Sequence, residues 1–239
     1  QSVETTLSPV SYTGFSISAW VYADSLGSYN VVASQWRNSS TANSAWFLET
    51  IGSNMAFGIG SGGSALYAQK AFSTGGWHNV VGVWNGTNVE IYIDSVASGS
   101  PVSASSMNTG TVNMGIGALW NTAGTAIDNG FWNGKITEVS IFDYALSASQ
   151  VTELYGTGSA IGNPMAITNG RKPVAYYPLG NAAFNGEFLV PNGAEQDYVF
   201  DFDGSNDEID CGSISQTNEG DISFSAWCNV TASGSYQAI

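Results

Sequence analysis

Apolar and polar residues take turns along most of this chain. Phe15, Ile17, Ala19 and Val21 fall on one face of an extended segment, with Ser16, Ser18 and Trp20 on the other; Val89, Ile91 and Ile93 likewise oppose Glu90, Tyr92 and Asp94. A period of two is that of a half-buried β-strand. The pattern predicts further strands at 30 to 36, 45 to 51, 54 to 60, 66 to 70, 77 to 84, 112 to 117, 134 to 142, 174 to 178, 197 to 202 and 206 to 211. Turn residues separate them, as in Gly62-Gly63, Gly75-Gly76, Asn85-Gly86 and Asn133-Gly134. One stretch reads as helix: Ser147 with Gln150 three positions on forms a capping box, and Val151 to Tyr155 follow until Gly156 stops them. Many short strands and so little helix predict an all-β sandwich of two antiparallel sheets.

The alternating pattern also repeats. Phe15 to Val21 returns as Ile222 to Cys228, and Gly27-Ser28-Tyr29 returns as Gly234-Ser235-Tyr236, both at an offset of 207 residues. That period is too long for a solenoid unit and close to one large β domain, so it predicts tandem domains. Residues 1–160 are expected to form a sandwich lacking its opening strands, 161–172 a linker, and 173–239 the opening strands of a second copy. Those opening strands would either fold back beside strand 134 to 142 or be donated to another copy. Donation or a longer parent chain is favoured, because the repeated Trp20 and Trp227 strands would compete for one position.

Several segments carry a family resemblance. Gly75-Gly76-Trp77-His78-Asn79-Val80-Val81-Gly82-Val83 and Val89-Glu90-Ile91-Tyr92-Ile93-Asp94 resemble paired strands of laminin-G-like, concanavalin A-like jelly-roll domains. Gly134 to Phe142, with Ala145-Leu146-Ser147 and Val151 to Tyr155, looks like that family's closing strand and terminal helix, and Val174 to Leu179 and Phe202 to Ile209 are similar to its opening strands. The resemblance implies a jelly-roll sandwich of the lectin-like kind. The chain departs from it at Asp94-Ser95, where the family has Asp-Gly, so a looser hairpin is expected there. The Ser, Thr, Gly and Asn texture also resembles modules of bacteriophage structural and fibre proteins.

Composition narrows the partners. With 19 acidic residues against five basic ones the net charge is −14. Such a chain cannot neutralise a row of phosphates, and an anionic membrane face repels it, so neither nucleic acid nor membrane insertion is expected. Acidity favours divalent cations instead. Asp203, Asn206 and Asp207 lie in the acidic turn Asp201 to Glu208, where hard oxygens converge as a structural Ca²⁺ requires. The resemblance implies Glu138 of the closing strand as their neighbour. Cys211 and Cys228, the only thiols, are read as free, with a disulfide left open.

No catalytic pair emerges. Glu90 and Asp94 sit four positions apart on one strand, roughly 13 Å, beyond the ~5–9.5 Å that glycoside hydrolysis needs. Ser140 stands where a glucanase-like pattern has its second acid. His78 is the only histidine and has no nucleophile beside it in the sequence pattern. The aromatic residues supply a different chemistry: Trp36, Trp46, Trp120 and Trp132, near Asn, Ser or Gly, are candidates for stacking on sugar rings, with Trp120 and Trp132 first because they bracket the loop at 121 to 130. The sequence therefore predicts a non-catalytic, extracellular or virion-surface adhesion module. It would bind glycans or neighbouring protein subunits and self-assemble or belong to a longer tandem array. The rival expectation is a purely structural fibre or capsid-decoration repeat that binds no sugar.

Overall fold

The computed structural model describes residues 2–156 and 161–179. In chain order its strands are β1 (Val3–Glu4), β2 (Phe15–Ala23), β3 (Val31–Ser34), β4 (Trp46–Ile51), β5 (Asn54–Ser61) and β6 (Ser64–Ala71). They continue with β7 (Trp77–Trp84), β8 (Asn88–Ile93), β9 (Val96–Ala97), β10 (Val102–Ser103), β11 (Gly115–Ile116) and β12 (Leu119–Trp120). Then come β13 (Ile127–Asn129), β14 (Gly134–Phe142) and β15 (Ala175–Tyr177), with the one α-helix, α1 (Ala148–Tyr155), between the last two. A six-stranded sheet runs β1-β11-β3-β4-β5-β6 and a seven-stranded sheet runs β10-β8-β7-β2-β14-β15, with β9 on β8; β12 and β13 form a separate hairpin. Every pairing between these strands is antiparallel.

Alternation places the core between the two large sheets. From β2 come Phe15, Ile17, Ala19, Val21 and Ala23, and facing them stand Trp46 and Leu48 of β4 and Met55, Phe57 and Ile59 of β5. Phe15 meets the rings of Trp46 at 5.0 Å and Phe57 at 6.1 Å. Each such side chain, wholly removed from water, contributes about 1.5–3 kcal/mol. The sheets approach closely at Gly82 of β7, where an added Cβ would stand 2.2 Å from the Phe57 ring. Glycine beside the valines of this strand is therefore a packing requirement.

The outer face of the seven-stranded sheet is covered as well, which the half-buried reading of β2 did not anticipate. Val81, Val83, Phe142, Val151, Leu154 and Ile167 form a second apolar cluster beneath α1. Ser16 bridges sheet and helix entry, donating to Tyr144 O and accepting from Leu146 N. The helix opens on the expected capping box, with Gln150 N donating to Ser147 Oγ and Ser147 N to Gln150 Oε1.

Three expectations meet a different structure. Residues 161 to 172, expected as a linker, pack on the helix: Thr168 N donates to Glu153, Ile167 is buried, and Tyr144 donates its hydroxyl to Arg171 O. Downstream, β15 pairs within its own chain, Ala175 against Ile141 and Tyr177 against Val139, so this part of the segment folds back where donation was favoured. The Asp94-Ser95 hairpin is also tight rather than loose. Both residues take positive φ, 51° and 64°, the backbone of a two-residue primed turn, and Ile93 pairs directly with Val96. The strands expected at 197 to 202 and 206 to 211, the cysteines and the repeated segment at 222 to 228 lie outside the described residues.

Candidate functional site

The outer face of the six-stranded sheet gathers aromatic rings around one acid. On β4, Trp46 and Leu48 point into the core, so alternation turns Phe47 and Glu49 outward. Register then builds two rows across the sheet: Phe47 opposite Gly58 opposite Tyr67, and Glu49 opposite Ala56 opposite Gln69. Gly58 has no side chain because none fits: a Cβ would lie 2.4 Å from Phe47 Cζ and 2.7 Å from Tyr67 Cβ. The Phe47 ring lies in that space, meeting Tyr67 at 6.2 Å and the edge of Trp36 at 4.9 Å and 86°. Trp36 is half-buried and Tyr67 is 37% exposed, so the cluster has a covered centre and open edges.

Trp36 is held from both sides. Its predecessor Gln35 is fully buried, donates Nε2 to Leu7 O and accepts the Trp46 indole. Its successor Arg37 donates its amide to Ser44 Oγ and Nε to Thr122 O. The ring thus projects from a backbone fixed on either flank, which reduces the entropy lost when a ligand orders it.

Glu49 is 6% exposed, and its side chain makes no hydrogen bond to another described residue. Burial alone raises its pKa from 4.5 to about 8, so the carboxyl is predominantly neutral at pH 7. No other acid stands on β3, β4, β5 or β6. Across these four strands the face therefore offers aromatic surface, one uncharged carboxyl group and the exposed amide of Gln69, while the exposed acid Glu4 of β1 stands at the far end of the Phe47 row.

The residues singled out from sequence fall in different places. Trp36 belongs to this cluster. Trp46 is fully buried between the sheets, in phase with Leu48, and that shared parity was the signal available in the sequence. Trp120, ranked first for exposure, is 6% exposed, with its indole donated to Asn113 O; its backbone supports the site by donating to Trp36 O. Trp132 packs partly against the core and donates Nε1 to Tyr22 O at 3.2 Å. Neither Trp46 nor Trp120 presents a face to a sugar. Phe47, Glu49 and Tyr67 were not singled out, although their common parity opposite Trp46 and Leu48 marks them as one face.

Glu138 occupies a bulge in β14 at φ 55° and is 6% exposed. It accepts the Tyr176 hydroxyl, and burial raises its pKa while that bond opposes the rise. Asp203, Asn206 and Asp207, with which it would share a cation, lie outside the described residues. Among the described residues no three His, Cys, Asp or Glu side chains group as metal ligands.

His78 has a serine beside it after all. Ser73 Oγ lies 3.0 Å from Nε2, and Asp94 Oδ2 lies 2.7 Å from Nδ1 while its Oδ1 accepts from Asn79 N. The order is that of a nucleophilic triad, which also needs N–H donors aimed at an oxyanion. Gly75 N, close by in the same turn, is donated to Ala23 O. What the bonds do accomplish is to tie the turn before β7 to the turn after β8.

A family profile described as concanavalin A-like lectin/glucanases superfamily matches residues 1–152. No curated protein matches the chain. Among solved structures it is similar to a protein from Bacteroides ovatus whose carbohydrate binding is itself a provisional assignment, with 14% identity and a TM-score of 0.53 over 75% of this chain and 48% of that one. It is also similar to domain 4 of the extracellular arabinanase AbnA from Geobacillus stearothermophilus, solved with arabinotriose, at 21% identity and TM-score 0.42 over 60% and 66% of the two chains. A third likeness is to a heptameric SAP-like pentraxin from Limulus polyphemus, at 13% identity and TM-score 0.48 over 65% and 75%. The chain spans about half the length of the Bacteroides protein. At 14% identity the likeness to the Bacteroides protein speaks for the fold alone.

Proposed function

We propose that this chain, which belongs to the concanavalin A-like lectin/glucanases superfamily, is a glycan-binding module that holds its ligand without cutting it, on the outer face of the six-stranded sheet. The observation that carries the reading is the Trp36, Phe47 and Tyr67 cluster set beside the buried acid Glu49. A pyranose has a flat C–H face and a rim of hydroxyls, and an aromatic platform next to a hydrogen-bonding carboxyl meets both. Carbohydrate binding is also the role provisionally assigned to the similar Bacteroides ovatus protein.

Cleavage of a glycosidic bond needs two carboxyl groups, and β3 to β6 supply one. Elsewhere, Glu90 is bonded to the Tyr92 hydroxyl and Asp94 to His78. Among the described residues no helix is long and apolar enough to cross a membrane. An acidic, glycan-binding sandwich suits an extracellular or virion surface, where soluble glycans and other copies are its partners. A Ca²⁺ held by the acidic turn at 201 to 208 would be a structural ion.

A second reading, a structural fibre or capsid-decoration repeat, is favoured by the return of Phe15 to Val21 at Ile222 to Cys228. A glycan microarray probed with the full chain separates the two. Saccharide binding that Trp36→Ala abolishes in a folded protein is the expected outcome; a folded wild-type chain that binds no glycan on the array leaves the structural repeat.

A further inference from the structure

We propose that β6 is an assembly edge, against which a second copy of this chain lays its own β6 antiparallel, joining two six-stranded sheets into one with both aromatic faces on the same side. The proposal concerns how copies meet and holds whichever ligand the face takes.

Three observations carry it. The first is an unpaired main chain. β6 ends its sheet, is eight residues long and pairs, among the described residues, only with β5. Gly60 N donates to Ala45 O, so residues of β5 in phase with Gly60 turn their amides toward β4. Their partners in β6, namely Ala65, Tyr67, Gln69 and Ala71, therefore turn N–H and C=O away from β5, and no described backbone group bonds them.

The second is the lack of a guard. Sheet edges are ordinarily blunted by proline, by a bulge or by an outward charge. β6 holds no proline and keeps an unbroken register on β5. Its single charge, Lys70, is turned aside, donating Nζ to Val96 O at 2.7 Å and to Ala97 O at 3.1 Å.

The third is charge, and it selects the occupant. The chain carries 19 acidic residues, yet none falls from Thr50 to Val89, and Ser95 to Ile127 hold no charged residue at all. Those stretches supply β6 and its borders: β5, the β9 carbonyls that hold Lys70, and Asn108, whose amide donates to Gly60 O. Two copies of a molecule with net charge −14 repel one another in general, and this side is where they meet with least repulsion. A strongly charged partner protein finds nothing to complement there beyond a lysine already engaged. A second copy brings the same neutral edge.

The outward groups of the two strands meet when Tyr67 stands opposite Gln69 of the second copy, a twofold pairing that makes about eight main-chain bonds. The row of Phe47, Gly58 and Tyr67 then continues into Gln69, Ala56 and Glu49 of the second copy. A surface displaying many ligands meets two sites at once.

The test is sedimentation of the full chain over about a hundredfold range of concentration, for wild type, Gln69→Pro and Gln69→Ala. Wild-type mass is expected to rise from that of one chain, 25.0 kDa, to about twice that. Gln69→Pro removes an edge amide that bonds nothing described, so it should melt like wild type and remain a single chain. Gln69→Ala keeps the amide and should still pair. Ala65→Pro repeats the test at a second outward position if Gln69→Pro melts lower. Amide exchange then identifies the occupant: protection at Ala65, Tyr67 and Gln69 that falls on dilution is expected. A wild-type chain that stays single at every concentration would overturn the proposal, as would a dimer that survives both proline variants. Protection independent of concentration also overturns it, because the edge would then be covered by a segment of its own chain. Glycan binding is read separately on the array and stands or falls there.

Discussion

Glu49 has a cost that titration can reveal. Its folded pKa, about 8, lies above the unfolded value of 4.5, so between these pH values the folded chain keeps a proton that the unfolded chain releases. Stability from this group is therefore intact below pH 4.5, falls as pH rises, and levels off above about 8. One pKa unit corresponds to about 1.4 kcal/mol, so the loss is on the order of 3–5 kcal/mol. Glu49→Gln should flatten the decline of melting temperature between pH 5 and pH 8.5 relative to wild type; parallel declines would show that Glu49 is charged or solvated in the folded state. At this scale the sequence was half legible. Parity separates Trp46 from Phe47 and Glu49, but Trp-Phe-Leu-Glu reads as an ordinary strand, and the burial of Glu49 depends on the strands on either side, which set Val31 and Ala56 opposite it.

Among the elements, the regular strands follow from alternation and the irregular ones do not. β4 to β8 lie where period two places them, because one face of each meets the core. The short pairs β1, β9, β10, β12 and β13 have two or three residues each, too few for a period to show. The bulge at Glu138 is invisible for another reason: it is set by the register of β14 on β2, which shifts between Thr137 and Ser140. Glycines within strands are informative once their neighbours are known. Gly58→Ala should push the Phe47 ring off its seat, lowering stability by about 1–3 kcal/mol and weakening glycan binding with it. Gly82→Ala, which forces a methyl into Phe57 between the sheets, should destabilise by at least as much. Chemical denaturation measures both, and a stability unchanged in either would refute the close approach. At the helix, Ser147→Ala removes the cap and should cost about 1 kcal/mol in the same assay.

For the whole molecule, the two-sheet sandwich was legible from strand number, the scarcity of helix and the order of the family-like segments; the course of the chain after the helix was not. Competition between repeated strands argued for donation, whereas Ala175–Tyr177 pairs with the closing strand of its own chain, and Thr137 and Glu138 both donate to Pro178 O. Local bonds around the β14 bulge decide this, and a repeat in sequence does not report them. Pairing in cis predicts amide-exchange protection at Val139 to Ile141 that is independent of protein concentration; protection that falls on dilution would restore donation between copies. The central claim concerns where this sandwich meets its ligand, and two tryptophans on different sheets decide it. Trp77 of β7 is 44% exposed and pairs edge-on with Tyr22, so an exposed indole there is as available as Trp36. Titration of the full chain with its best array saccharide should give a Kd raised about tenfold or more by Trp36→Ala, the equivalent of about 1.4 kcal/mol, and left unchanged by Trp77→Ala. Binding that survives Trp36→Ala and is lost with Trp77→Ala would place the site on the other sheet and contradict the account.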